Sequence, residues 1–325
     1  MPIDHLSTEV RWTLITLLGL LIFSSAVTYA SSKLRPGKDH TELRQRVRTW
    51  WVIILLFGGS MVLSKVGVLW LFGFVSFLAL KEFFSLIPCR RADRQALFWA
   101  YLSIPLQYYW VHLEWYGMFI IFIPVYLALL IPARLVLIGE TDGFLRSVGT
   151  IHWGTMMTVF SLSHAAYLIS LSPLADPRVA YAWPPSGATD FPGPGLLLML
   201  VLLTELNDIA QFLWGKSLGR KKVAPAVSPG KTWAGLIGGV LTTTTASAVV
   251  GPWLTPLDLT HSLLAGLLVG VSGFFGDLSV SAIKRDLNVK DSGSLLPGHG
   301  GILDRIDSLT YTAPLFFHFV YYFYF

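Results

Sequence analysis

The sequence is poor in charge. Of its 325 residues only 13% are Asp, Glu, Lys or Arg, against roughly 25% in soluble domains, which excludes an ordinary water-facing globular chain. It has one cysteine, Cys89, so no intrachain disulfide can form, and cysteine usage carries no information on the redox compartment. It has neither a basic domain nor a nucleic-acid-binding motif, so the formal charge of +5 does not point to nucleic acid as a partner. The first residues lack a basic segment: Asp4 and Glu9 precede Arg11, and the apolar stretch 12–30 has no small-residue cleavage site. A retained helix is therefore expected there instead of a removed signal peptide. No internal repeat or low-complexity segment is visible.

What is abundant is apolar surface. Hydrophobic residues make up 54% of the chain, the mean hydropathy is +0.60, and twelve Trp and twelve Tyr suit interfacial belts. Crossing a bilayer takes about 20 apolar residues. Ten stretches qualify as candidates: 11–30, 50–64, 66–80, 97–111, 115–137, 150–172, 195–214, 233–254, 262–282 and 308–325. The expected fold is an all-α, polytopic integral membrane bundle of about ten transmembrane helices. Stretches 50–64 and 66–80 are short and separated only by Lys65, so a single tilted span competes with a hairpin. Loop charge decides between them. Loop 31–49 holds Lys33, Arg35, Lys38, Arg44, Arg46 and Arg48 against Asp39 and Glu42; loop 81–96 holds Lys81, Arg90, Arg91 and Arg94 against Glu82 and Asp93. Both should be cytoplasmic, which requires an even number of crossings between them, and so a hairpin of two short or re-entrant helices. The same logic makes 138–149, 215–232 and 283–307 cytoplasmic and 173–194 external, with both termini outside. Residues 1–190 read as a variable half and 191–325 as the half carrying the chemistry.

Charges within spans are costly, about 2.5–3.5 kcal/mol each at a helix centre. Asp208 and Asp277 lie in the last third of two helices that run toward the basic side, at similar depth. Each, alone, is as well explained by capping or pairing with a lysine. Glu205 is one turn from Asp208 and suits a helix–helix hydrogen bond. Asp277, Ser281 and Lys284 fall at i, i+4 and i+7, one polar stripe in which acid and base can simply neutralise each other.

The segment "KRDLNVKDSGSLLPGHGGILDRID", 284–307, is richer than a linker requires. Gly298, Gly300 and Gly301 permit positive φ and close backbone approach, and successive N–H groups there can cradle an anion. His299 sits between glycines. Asp304 and Asp307 share a face at i, i+3 if a helix begins near Leu303, and carboxylates are the hard donors that Mg²⁺ prefers. Lys284, Arg285, Lys290 and Arg305 supply charge for a polyphosphate. In "WGKSLGRKKVAPAVSPGKTWAG" the string GKT tempts a phosphate-loop reading, but Pro225 stands where that motif needs glycine and no strand precedes it. Ser228 to Thr232 instead precede an apolar helix whose N-terminus favours an anion, with Lys216, Arg220 and Lys222 suited to phosphates or headgroups. Gly235–Gly239 and Gly266–Gly270 have the spacing of tight helix packing.

"SAIKRDLNVKDSGSLLPGHGGILDRID", 281–307, resembles the signature of the phosphatidate cytidylyltransferases (CDP-diacylglycerol synthases). "VSPGKTWAGLIGG", 227–239, and the Asp208–Gly215 spacing are similar to that family's preceding segment. The likeness covers 205–310, about a third of the chain. It implies an enzyme joining CTP and phosphatidate into CDP-diacylglycerol and pyrophosphate, with Mg²⁺ required and K⁺ assisting, at the inner face of a bacterial cell membrane with the site facing the cytoplasm. By resemblance the catalytic set is Asp208, Asp277, Lys284, Arg285, His299, Asp304 and Arg305. Nucleotide binding falls to Lys216, Ser228, Lys231, Thr232, Lys290, Asp291, Gly298, Gly300 and Gly301, and metal to Asp208, Asp277, Asp304 and Asp307. The chain departs from the family at Val280 and Ala234, often acidic or amide positions, and after Asp208, where Ile209, Ala210, Gln211 and Phe212 replace small or hydroxylic residues followed by Ala-Tyr. Partners implied are CTP and inner-leaflet phosphatidate; a homodimer is left open. Three rival readings stand: a CTP-dependent polyprenol or phytol kinase, an ion-coupled transporter, and a catalytically silent paralogue.

Overall fold

The computed structural model describes residues 6–34, 39–88, 90, 93–171, 192–295, 298 and 300–325. His299, Cys89, Arg35, Lys38, Arg91 and most of the expected external loop 173–194 lie outside the described residues. The described residues are mostly helical, in the order α1 Thr8–Leu34, α2 Thr41–Leu63, α3 Lys65–Leu86, α4 Arg94–His112, α5 Tyr116–Ile121, a π-helical turn Phe122–Leu127, α6 Ala128–Ile138, α7 Phe144–Thr155, a second π turn Met156–Phe160, α8 Ser161–Leu168, α9 Gly193–Leu218, α10 Trp233–Leu254, α11 Leu259–Asp286, the single turn α12 Leu303–Ile306 and α13 Leu309–Tyr324. Among the described residues the only strand-like pairing is an isolated bridge between Lys222 and Thr232.

Taking α5–α6 and α7–α8 each as one continuous segment through its π turn, ten long helical segments overlap the ten expected spans one for one. Among the described residues, seven are long and apolar enough to cross a membrane by length and composition. The π turn in the fifth segment has a cause: Pro124 has no N–H to give to the helical ladder, and the backbone widens around it.

The hairpin reading is correct in connectivity and wrong in detail. Ser64 breaks the chain with extended backbone (φ 175°, ψ 168°) and its hydroxyl accepts from Gly67 N at 3.2 Å, capping α3. The two helices are not short or re-entrant, however; they run 23 and 22 residues. Half of what looked like loop 31–49 is the first turns of α2. Asp39 Oδ1 accepts from Thr41 N at 2.8 Å to start the helix, Glu42 occupies its first turn, and Glu42 pairs with Arg46 one turn on at 2.5 Å. Charged helix formers carried the helices beyond their apolar cores.

The expected basic segments gather at one end of the bundle. Gly298 lies against Gln45 and Arg46, Glu82 meets residues 292 and 302–303, Arg90 donates to the carbonyl of Asp142, and Arg285 donates to Val227 O at 3.2 Å. At the opposite end Lys65 pairs with Glu114, Tyr116 stacks on Tyr321 and Asp258 N donates to Tyr324 Oη.

The back of the molecule, α9 to α11, is packed through glycine. A side chain at Gly235 would meet Gln211 O at 2.7 Å, and one at Gly266 would meet Thr244 Cα at 2.7 Å. Both small-residue spacings therefore seat one backbone on another. Asn207, fully buried, ties the three helices together: its amide donates to Gly270 O at 3.3 Å and its carbonyl accepts from Thr243 at 3.2 Å.

Candidate active site

Two groups of carboxylates form at the basic end, and each is built from segments distant in sequence. The first begins on α9, where one face carries Asn207, Asp208 and Gln211. With Asn207 Nδ2 facing Gly273, α11 sits close enough to bring Asp277 alongside. Gly276 completes the approach: a Cβ there would stand 2.5 Å from Asp307 O, so only glycine lets α11 pass against the 307–308 corner. Asp208, Asp277 and Asp307 consequently lie within electrostatic range of one another. Ser308 serves two of them, its hydroxyl donating to Asp208 Oδ1 at 3.0 Å and its N–H to Asp307 Oδ1 at 2.7 Å.

Lys231 enters from the 219–232 loop. Val223 N donates to Lys231 O at 3.1 Å and Trp233 N to Lys221 O at 3.0 Å, a two-bond ladder closed by a turn over Ala224–Ser228. Thr232 then caps α10 by accepting from Gly235 N at 3.1 Å. Held between ladder and cap, the Lys231 ammonium reaches Asp277 Oδ2 at 2.5 Å and Gln211 Oε1 at 3.0 Å, and lies 5.8 Å from the centre of the Phe274 ring. Arg305 adds a second positive charge felt by Asp208 and Asp307. Three carboxylates against two cations leave the group short of positive charge. Burial first, then the charges of Asp277 and Asp208, push the Asp307 carboxyl well above the usual carboxylate range.

The second group centres on Asp304. It accepts from Lys284 Nζ at 2.6 Å, Ser292 N at 2.9 Å, Ser292 Oγ at 2.9 Å and Gly301 N at 3.0 Å. Although burial alone would raise its pKa, the bonds from Lys284, Gly301 and Ser292 hold it below the ordinary value. Beside it Glu82, from α3, accepts from Ser292 Oγ at 2.5 Å, Ile302 N at 2.9 Å and Leu303 N at 3.0 Å. Glu82 thus caps α12 from more than 200 residues away. Gly298 and Gly300 have φ of +77° and +79°, the left-handed backbone their residue type permits.

The structure therefore sorts the predicted site residues. Asp208, Asp277, Asp307, Lys231 and Arg305 come together. Lys284, Asp304, Gly300 and Gly301 form the neighbouring network. A helix does begin at Leu303 and its backbone stays helical through Asp307, yet Asp304 and Asp307 take different partners: Asp304 the Lys284 ammonium, Asp307 the N–H of Ser308. Lys284 does not neutralise Asp277 along the α11 stripe: it turns to Asp304 and leaves Asp277 to Lys231 and to Ser281, which donates at 3.2 Å. Arg285 holds the 227 turn, Thr232 is a buried cap and Ser228 shapes the loop. Lys216, Lys290 and Asp291 are exposed. Glu205 makes no helix–helix hydrogen bond among the described residues; it lies in the field of Asp208 and Arg305. Val280 is 2% exposed in the apolar core, so the polar side chain that the resemblance leads one to expect there would have no open pocket in this chain.

Sequence reasoning missed Glu82, Ser292, Ser308 and Asn207 as site-builders, and treated Gln211 only as a departure. Gln211 is 4% exposed; its carbonyl holds Lys231 while its Nε2 finds no partner among the described residues. Ser308, next to Asp307, was legible as a local cap; Glu82 carried no local signal.

Among the described residues no group of three or more His, Cys, Asp or Glu side chains encloses a metal site by itself. Mg²⁺ takes one or two carboxylates and leaves its remaining positions to water and substrate phosphates; the oxygen donors of Asp208, Asp277 and Asp307, short of positive charge among the described residues, are of that type.

Residues 44–323 match the family model described as the cytidylyltransferase family. The chain belongs to the cytidylyltransferase family. It is similar to "Uncharacterized protein YnbB" of Escherichia coli (strain K12), 48% identical over 315 residues, covering 95% of this chain and 98% of that one. It is also similar to the phosphatidate cytidylyltransferases of Haemophilus influenzae, 38% identical over 132 residues (39% of this chain, 46% of that one), and of Pseudomonas aeruginosa, 45% over 124 residues (38% and 46%). The matched stretch is thus about half of each phosphatidate cytidylyltransferase. The family match extends over α2–α8 as well, where the sequence alone offered only hydropathy.

Proposed function

We propose that the chain transfers the cytidylyl group of CTP to phosphatidate, forming CDP-diacylglycerol and pyrophosphate at the cytoplasmic face of a bacterial inner membrane. The observation that carries this reading is the convergence of Asp208, Asp277 and Asp307 with Lys231, all from segments that resemble the phosphatidate cytidylyltransferase signature. The gathering of the basic segments at one end supports the cytoplasmic placement.

In this reading a phosphate oxygen of phosphatidate attacks the α-phosphorus of CTP in line. The bond from the α-phosphorus to the bridging oxygen breaks, and pyrophosphate leaves with that electron pair. The attacking oxygen is already anionic near neutral pH, so no strong base is needed; positioning and charge do the work. Asp208, Asp277 and Asp307 would hold Mg²⁺, which when bound supplies charge stabilisation to the nucleotide phosphates. Lys231 is positioned to leave Asp277 for a phosphate oxygen, and Arg305 to offset the charge on the leaving group. The Asp304–Glu82 network accepts the N–H groups of Gly301, Ile302 and Leu303 and so fixes this turn beside the carboxylate group.

Purified protein given α-labelled CTP, phosphatidate and Mg²⁺ tests the reading. Label appearing in lipid supports cytidylyl transfer, label in free CDP indicates a lipid kinase, and no Mg²⁺-dependent turnover with any acidic lipid indicates a silent paralogue.

A further inference from the structure

Outside the carboxylate groups, the one strongly basic cleft described lies between α1 and α2 at the same end of the bundle. It encloses about 710 Å³. Its walls are two facing helical stripes. Ser25, Thr28, Tyr29 and Ser32 repeat at i, i+3, i+4 and i+7 on α1, and Arg44, Val47, Arg48 and Trp51 repeat at the same spacing on α2. Trp51 Nε1 donates to Ser25 Oγ at 2.9 Å and fixes the two walls to each other. The Ser25, Thr28 and Ser32 hydroxyls donate to their own helix carbonyls. Recognition is therefore left to Lys33, Arg44 and Arg48, and no described residue lining the cleft is acidic. Asp39, whose carboxylate caps α2, is the nearby acid that feels Arg44; Glu42 is taken by Arg46 on another face.

Toward the middle of the spans, the flank beside the cations carries exposed apolar side chains: Ile22 on α1 is 60% exposed and Leu55 on α2 is 54% exposed. A polar cup of three cations opening onto an apolar flank of two spanning helices has the chemistry of a phospholipid: a phosphate for the guanidinium forks and acyl chains for the flank.

We propose that the α1–α2 cleft binds the phosphate headgroup of an anionic phospholipid from the adjoining leaflet, as a site separate from the Asp208–Asp277–Asp307 group. The face of α2 that carries it differs from the one that Gln45 and Arg46 turn to Gly298, so the lipid and the glycine turn are served by two sides of one helix. This is independent of which reaction the carboxylates perform.

The full-length protein in detergent is incubated with equal amounts of phosphatidylglycerol and phosphatidylcholine, and retained lipid is counted by native mass spectrometry. The wild type is expected to retain the anionic lipid about tenfold over the zwitterionic one. K33Q/R44Q/R48Q is expected to lose that preference, while K33R/R44K/R48K, which keeps charge and tests for mere disruption, retains it. Equal retention of both lipids by the wild type overturns the proposal, as does an unchanged preference in the neutral variant or a lost preference in the charge-retaining one. An excess of inorganic phosphate should leave the lipid bound; its release by phosphate would show a free-anion site and overturn the lipid assignment.

Discussion

Asp304 and Asp307 are three residues apart and live under opposite conditions. Asp304 accepts four hydrogen bonds, one of them from Lys284. Among the described residues Asp307's carboxylate accepts one, from the N–H of Ser308 next to it, and it faces two other carboxylates. Charge that is fully bonded stabilises the fold; charge left short of partners is available to a ligand. On the proposed function, the contrast gives the Asp304–Glu82 network a structural role and leaves the chemistry to Asp208, Asp277 and Asp307, and each assignment breaks differently.

The largest effect is expected at Asp277. Asp277→Asn keeps the side chain's size and removes the charge opposite Lys231. If the carboxylate serves the reacting phosphates, cytidylyl transfer falls by about 10³-fold. The melting temperature in detergent should barely move, because relief of repulsion within the carboxylate group offsets the lost ion pair. Loss of folding with proportionate loss of activity would move Asp277 into the structural class.

Glu82 should show the reverse balance. Glu82→Ala leaves the N–H groups of buried Ile302 and Leu303 without their acceptor and the Ser292 hydroxyl with Asp304 alone. Buried unsatisfied donors cost about 1–3 kcal/mol each before relaxation, so a net loss of about 2–4 kcal/mol is expected, with a clear fall in melting temperature. Activity falls too, but Mg²⁺ dependence stays unchanged. An unaltered melting temperature would show that the α3 contact is incidental.

The spans were legible because hydropathy reports them directly, and ten helical segments stand where ten stretches were apolar. Their ends were not, since Glu42, Arg46, Lys81 and Glu82 look like loop charges and yet favour helix. Asp208 and Asp277 were legible as charges placed where charge is costly. Their common depth followed from counting residues, but their pairing with Lys231 did not. Spacing along α11 had offered Lys284 as a partner for Asp277, and the bend at 286–292 carried the competing acceptor, Asp304, to it. Glu82 was invisible for a simpler reason: its partners lie more than 200 residues away, and an acid in a basic segment reads as a counter-charge.

Asp304 allows a pH test of the structural class. Its folded pKa lies below the ordinary 3.8. The carboxylate therefore contributes stability that is complete above the unfolded value and is lost as pH falls through the folded one. Asp304→Asn should melt lower than wild type at pH 7, and the difference should shrink in melts below about pH 4. A gap that persists at pH 3 would mean that shape, not charge, holds Lys284 and the 301 turn.

The smallest effect is expected at Gln211, which stands between the two classes. Its carbonyl carries Lys231 and its Nε2 is a buried donor with nothing described to receive it. Gln211→Glu replaces that donor with an acceptor and puts a further negative charge beside Lys231, Asp208 and Asp277, whereas Gln211→Ala removes both functions. If Gln211 only steadies Lys231, the Ala variant loses turnover by about tenfold with the CTP KM unchanged. If the amide also donates to the nucleotide or lipid phosphate, KM rises in both variants, and more in the Glu variant, where like charge now opposes the substrate. A KM that moves in neither would leave Gln211 with the lysine alone.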